Sequence, residues 1–230
     1  MEKIVINPKL SSGALRNSSV EELGRKITER SPDVRVVLFP GIGRCVEKSA
    51  LVADLAQIMA GEGKRILLID ADMRRDKLTG ILNPEKTVGG TITGLGEYLS
   101  GEKTIDDILC MTDIPGLCAV FAGKMKDNIT DMLSDRRLQE LINLGMKYFD
   151  YILIDCAPAD RYRDAEFISA YVDTVVPIVE WEKAESRTAA GIASSFSEIG
   201  VPVMGCVLID VPVDNTLIGR YFRRLLGKGK

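Results

Sequence analysis

The chain has 230 residues, 46% of them hydrophobic, enough to bury one sizeable core without covalent staples. Its 30 basic and 33 acidic residues give a formal charge of -3, which excludes a globally basic nucleic-acid binder, and no nucleic-acid partner is expected. There is no histidine, and the five cysteines (Cys45, Cys110, Cys118, Cys156, Cys206) form no CxxC pair, so a zinc site and histidine-based catalysis are excluded too.

In chain order, residues 1–18 mix Pro8, Ser11, Ser12, Gly13 and Asn17 without a sustained period and read as an N-terminal arm; the rest, 19–230, reads as a single domain. A helix is expected over 20–30, a strand over 34–39, a helix over 49–61 and a strand over 65–70. From Met73 to Leu117 the pattern loosens around Gly89, Gly90, Gly94 and Gly96, with short helices at 95–99 and 105–109, as in a surface insertion. Beyond it come a strand at 117–121, helix 130–146, strand 151–155, helix 165–171, strand 174–179, helix 185–199 and strand 203–208. Continuous apolar strands alternating with helices predict an α/β fold, a three-layer sandwich with a mainly parallel sheet covered on both faces. No apolar stretch approaches the roughly 18 residues of a membrane span and no signal-peptide pattern is present, so a cytoplasmic location is expected; thiols in apolar runs fit a reducing compartment.

Ligands of open α/β sheets bind at the carboxyl ends of the strands. Ile66-Leu67-Leu68-Ile69-Asp70-Ala71-Asp72 and Tyr151-Ile152-Leu153-Ile154-Asp155 are buried strands ending in carboxylates, which suggests a metal-bound phosphate. One carboxylate of the Asp70 and Asp72 pair would serve the metal and the other a reacting hydroxyl; Asp155 fits the Walker B role. The alternative for each is a helix or turn cap.

The phosphate loop is expected between the strand at 34–39 and the helix at 49–61. Here GxxxxGK[ST] is absent and Pro40-Gly41-Ile42-Gly43-Arg44-Cys45-Val46-Glu47-Lys48-Ser49 stands in its place. In one register Lys48-Ser49 is the lysine–hydroxyl pair, with Cys45 and Glu47 at glycine positions and Gly43, Arg44, Cys45, Val46, Glu47, Lys48 and Ser49 lining the cofactor. In the other, Pro40 to Arg44 is the loop, Arg44 replaces lysine and Cys45 the hydroxyl. The first suits the spacing from Lys48 to Asp70 better. A Glu47 carboxylate at about 4 Å from a phosphate charge costs roughly 4 kcal/mol at an effective dielectric near 20, about three decades of affinity. The remaining alternative is an ordinary strand-to-helix turn that binds nothing.

These residues resemble the MinD/ParA-like deviant-Walker P-loop ATPases, and within them the bacterial tyrosine kinases of capsule and exopolysaccharide export. The likeness spans about residues 20–211 and is sharpest at Leu67-Leu68-Ile69-Asp70-Ala71-Asp72-Met73-Arg74-Arg75, which matches the second Walker motif of those kinases. Asp54-Leu55-Ala56, the run from Tyr148 to Pro158, Asp164-Ala165 and Asp173 are also similar. The resemblance implies Mg2+ with ATP or ADP, Ser49, Asp70 and Asp155 at the metal, Asp70, Asp72 and Lys48 in catalysis, and Arg74 beside the nucleotide. The helix at 21–28 is similar to the family's ExxRxxR oligomerisation helix, with Thr28 where the second arginine would stand, and implies a homo-oligomer.

The loop glycines, the Pro-Asn-Pro turn in 123–133, the asparagine expected after Val207-Leu208 and the C-terminal tyrosine cluster are all missing, leaving Tyr221 alone. The resemblance therefore implies a pseudokinase that regulates polysaccharide assembly by binding a polysaccharide co-polymerase membrane protein or a related kinase. Its rivals are an active ATPase or tyrosine kinase and a MinD-like positioning ATPase. Leu217, Ile218, Tyr221, Phe222, Leu225 and Leu226 recur at helical spacing beside Arg220, Arg223, Arg224, Lys228 and Lys230. Residues 215–230 thus read as an amphipathic helix for an anionic membrane surface, peripheral at the inner face of the cell membrane. The alternative is a last helix packed on the sheet.

Overall fold

The computed structural model describes residues 2–5, 14–43, 45, 47–82, 84–86, 92–125, 129–180 and 187–209. The elements are β1 (Glu2–Val5), α1 (Ala14–Thr28), β2 (Val36–Phe39), β3 (Gly41–Ile42), α2 (Lys48–Gly61), β4 (Ile66–Asp70), α3 (Lys77–Leu82), β5 (Glu85–Lys86), α4 (Leu95–Leu99) and α5 (Ile105–Ile108). They continue with β6 (Cys110–Met111), β7 (Leu117–Val120), α6 (Ile129–Leu133), α7 (Arg136–Tyr148), β8 (Tyr151–Asp155), α8 (Asp164–Ser169), β9 (Thr174–Val175), β10 (Ile178–Glu180), α9 (Arg187–Glu198) and β11 (Val207–Ile209).

The strands order as β5-β1-β6-β7-β4-β8-β2-β9 and β11-β10-β3. All central pairs are parallel; β1 with β5 and β6 with β7 are antiparallel. Because side chains alternate along a strand, Val37, Phe39, Ile66, Leu68, Tyr151 and Leu153 pack with α1 and α2, while Val36, Leu38, Leu67, Ile69, Ile152 and Ile154 pack under α4, α6, α7 and α8. The three-layer, mainly parallel α/β sandwich expected from the sequence is the fold observed.

Helix α2 is Ala-rich and buried almost all round, as a helix enclosed between the sheet and α1 should be. Gly63, with φ +84, closes it in the left-handed region, its N–H donating to Ala60 O at 2.9 Å. Opposite, α7 buries Leu138, Leu141, Ile142 and Gly145, one helical face. A Cβ on Gly145 would stand 2.9 Å from Ile152 Cδ1, so that glycine sets how closely α7 lies on the sheet.

Several bounds differ from expectation. The segment 174–179 is two strands because Pro177, lacking an N–H, interrupts it. The helix at 130–146 is broken at Ser134-Asp135, where Asp135 caps α7 by accepting from Arg137 N–H at 2.8 Å. Within 1–18, Glu2–Val5 pairs with β5 and β6, and α1 starts at Ala14. The loose stretch from 73 to 117 is no surface insertion throughout: α4 is wholly buried. Cβ atoms on Gly94 and Gly96 would lie 2.2 Å from Phe121 O and 2.3 Å from Lys124 O, and the Glu97 carboxylate accepts from Gly94 and Lys124 N–H. These glycines serve close backbone packing rather than a flexible loop. Among the described residues no helix is long and apolar enough to cross a membrane.

Candidate functional site

The carboxyl ends of β2, β4 and β8 meet at the amino end of α2. Asp70 and Asp155 are register partners across β4 and β8, and Phe39 pairs with Asp155 on the other side. Continuing the alternation, both carboxylates fall on the α2 face, where Lys48 begins the helix. Lys48 Nζ forms an ion pair with Asp155 Oδ1, with side-chain exposures of 3% and 0%. Of the two loop registers, the one built on Lys48-Ser49 therefore brings its lysine to the strand-end carboxylates. Burial alone would lower the lysine pKa, but the charge and hydrogen bond of Asp155 outweigh it and the net shift is upward.

Asp70 and Asp72 converge on this pair. Asp70 Oδ1 accepts from Asp72 N–H at 3.0 Å and its Oδ2 from Leu78 N–H at 3.3 Å. Burial, followed by the charge of Asp155, pushes the Asp70 carboxyl well above the usual range. Burial also raises Asp72, with Asp155 adding and Lys48 opposing. Both Asp70 oxygens are thus engaged in fixing the turn after β4. Ser49 Oγ, Asp72 Oδ1 and Asp155 Oδ2 are buried at this site without a hydrogen-bond partner among the described residues. Such atoms in a native site ask for an ion or water. No three Cys, Asp or Glu among the described residues converge as a complete metal cage, so a cation here would need oxygens from its ligand, as Mg2+ bound with phosphate does.

Arg74 bonds to another acid while staying within Coulombic reach of Asp72. Its guanidinium forks onto Asp164 at 2.9 and 3.0 Å and lies 4.2 Å over the Tyr162 ring; the Asp164 hydrogen bond holds its pKa up. The phosphate loop has an unusual shape. After Pro40, Gly41–Ile42 runs on as a strand paired with Ile178 and Val179. Gly43 follows at φ +94 and Cys45 at φ +37, a left-handed conformation that costs a non-glycine residue roughly 1–2 kcal/mol. Cys45 Sγ, 3.0 Å from Ile42 O and 3.1 Å from Ile178 O, anchors that turn, and burial pushes the thiol pKa up. Glu47 precedes α2 as an exposed residue whose side chain makes no capping bond to the helix.

The structure thus gathers Lys48, Ser49, Asp70, Asp72 and Asp155, and sets Gly43, Cys45 and Glu47 along the adjoining loop. Arg44, Val46 and the helix at 215–230 lie outside the described residues, as does Asn128. Sequence reasoning missed the partnership of Arg74 with Asp164 and Tyr162, and it missed Asp160, whose Oδ2 accepts from Gly43 N–H at 3.2 Å. Only the mixed-charge stretch Asp160-Arg161-Tyr162-Arg163-Asp164 after Pro158 hinted at them.

A family model described as an AAA domain matches residues 42–196. The tyrosine-protein kinase CpsD of Streptococcus agalactiae is 31% identical over 217 residues, 94% of this chain and 93% of that protein. Tyrosine-protein kinase ptk of Acinetobacter johnsonii is 31% identical over 166 residues, 72% of this chain; the match spans 22% of that longer protein. Among solved structures, the chimerical protein CapA2B2 superposes with a TM-score of 0.79 at 21% identity, over 92% of this chain and 93% of that one. The septum site-determining protein MinD of Pyrococcus horikoshii, complexed with Mg-ADP, superposes with a TM-score of 0.63 at 21% identity, over 76% of this chain and 69% of that one. Both share the fold.

Proposed function

Since this chain belongs to the bacterial tyrosine kinase branch of the MinD/ParA-like P-loop ATPases, we propose that it is a regulatory member with a weakened nucleotide site, acting in capsular or exopolysaccharide assembly. The observation that carries this reading is the phosphate loop: Cys45 stands in a left-handed position that glycine adopts freely, and Glu47 puts an acid at the amino end of α2. A side chain where backbone must approach phosphate, and a negative charge where phosphate must sit, both oppose nucleotide.

Mg2+ would be held by Ser49, Asp72 and Asp155, each with one buried oxygen that lacks a partner among the described residues, together with phosphate oxygens; it would neutralise phosphate charge when bound. Lys48 would then turn from Asp155 toward phosphate. Asp70 would hold the Asp72 turn through its two backbone hydrogen bonds and keep a lone pair on each oxygen for the ion. The partner we assign is a polysaccharide co-polymerase membrane protein or a related kinase, and residues 215–230 would add contact with an anionic membrane.

Calorimetry with ADP and ATP plus Mg2+ tests the reading. Cys45→Gly combined with Glu47→Gly should tighten binding by up to about three decades, and unchanged binding would refute it. A second reading, an active ATPase or tyrosine kinase, is favoured by the same unpartnered Ser49, Asp72 and Asp155 oxygens. Phosphopeptide mapping after incubation with Mg-ATP separates the two. The regulatory reading expects no appreciable phosphotyrosine, whereas robust phosphate on Tyr221, abolished by Asp72→Asn, establishes the kinase.

A further inference from the structure

The segment following β8 runs against the phosphate loop. Cys156 N–H donates to Phe39 O at 3.4 Å and Ala159 N–H to Gly41 O at 2.8 Å, and Gly43 N–H donates to Asp160 Oδ2 at 3.2 Å. On its other edge the loop is paired with β10, Ile178 N–H donating to Pro40 O at 2.9 Å. The backbone from Gly41 to Gly43 is therefore held from both sides. Loops of this kind grip anions with main-chain N–H groups, and here one of those groups is already given to a carboxylate of the chain itself.

Asp160 is exposed and sits on a turn closed by Arg161 and Tyr162 N–H donating to Pro158 O at 3.2 and 3.0 Å. Its side chain can leave the loop without disturbing the core. With an anion in the loop, the same carboxylate is a like charge beside it. We propose that Asp160 is a built-in competitor of phosphate: its carboxylate occupies Gly43 N–H, and a phosphate-bearing ligand enters only when Asp160 swings out. This rests on the reading of the loop as a weakened phosphate site and adds a third obstacle, one that acts by occupancy and can be relieved by movement.

The test measures Mg-ADP and inorganic phosphate binding by calorimetry to the full chain and to the Cys45→Gly, Glu47→Gly double variant, each with and without Asp160→Ala. Asp160→Ala should tighten both probes about tenfold, about 1.4 kcal/mol, in either background. Asp160→Asn, which keeps an acceptor but drops the charge, should gain less. Asp33→Ala, an exposed acid before β2 at the far end of the sheet, should change affinity less than twofold. If the double variant binds more tightly but Asp160→Ala adds nothing, the loop reading stands and the role of Asp160 is overturned. An equal gain from Asp33→Ala overturns it as well, by showing a mere net-charge effect. If no variant binds either probe, both readings fall.

Discussion

Removing the Lys48 ammonium while keeping most of its volume, as in Lys48→Met, exposes how much of the fold depends on the buried ion pair. Both partners are withdrawn from water, and Asp155 Oδ2 has no hydrogen-bond partner among the described residues even with the lysine present. The variant therefore leaves both Asp155 oxygens unpaired beside Asp70 and Asp72. Breaking a buried pair from one side costs about 3–5 kcal/mol, a large part of the roughly 5–15 kcal/mol that holds a domain together. At roughly 2–4 °C per kcal/mol for a chain of this size, the melting point should fall by roughly 6–20 °C. Urea unfolding followed by circular dichroism measures the loss. Burial pushes the Asp70 and Asp72 carboxyls up and the Lys48 charge opposes it, so without the lysine they take up protons more readily and the deficit should shrink as the pH is lowered from 7 toward 4. Adding Asp155→Asn should recover at least about 2 kcal/mol, the size of coupling seen between directly contacting groups. A loss below about 1 kcal/mol, or one that neither acid nor the second substitution relieves, would refute the picture of a dehydrated pair.

Three further outcomes follow from features away from the lysine. Gly96→Ala should cost about 1–3 kcal/mol by overpacking, because its Cβ would meet the Lys124 carbonyl at 2.3 Å; chemical denaturation reads it, and a neutral result would mean that α4 is not seated against 121–125. Arg65 clamps Asp150 with bonds from its main-chain N–H and guanidinium at 2.8 and 2.7 Å, which holds that carboxyl below the usual range. A lowered carboxyl stabilises above its unfolded value near 3.9 and loses that contribution as the pH falls through its native value. Discounted for solvent exposure to about 0.5–1 kcal/mol, the deficit of Asp150→Asn should be full at pH 7 and fade below pH 4 in thermal melts. For the C-terminal helix, the full chain should sediment with anionic vesicles more than a chain ending at Asn215, and less at high salt. Each Lys or Arg adds roughly 1 kcal/mol within a Debye length of about 8 Å, and equal pelleting of the two chains would remove the membrane contact.

Much of this site is legible in the sequence, because an apolar run ending in Asp70 or Asp155 announces both a buried strand and a carboxylate at its ligand-binding end. The spacing from Lys48 to Asp70 likewise favours the register whose lysine is the one paired with Asp155. What escapes is pairing over long separations. Nothing local in Gly43 or Arg74 names Asp160 or Asp164 as a partner, since a side chain finds an acceptor 117 or 90 residues away only after the sheet has placed them together. The breaks at Pro177 and Ser134-Asp135 carry their own signals, a missing donor and a capping side chain, which strong apolar periodicity masks. Gly94 and Gly96 show the reverse error: glycine composition suggests a loose loop where it permits backbone to touch backbone.

The interruptions at Pro40 and Pro177 fall at the same level of neighbouring strands, since Leu38 pairs with Val175 and Gly41 with Ile178. Two adjacent residues without donors score a crease across the sheet at the point where the phosphate loop begins. Beyond the crease lies a narrow flap, β3, β10 and β11, that shares its edge with Asp160. The strand that leads into Gly43 and Cys45 is therefore braced by β10, and through it by β11, rather than by the main sheet. Among the described residues, three hydrogen-bonded strands thus connect Ile209 to the start of the phosphate loop.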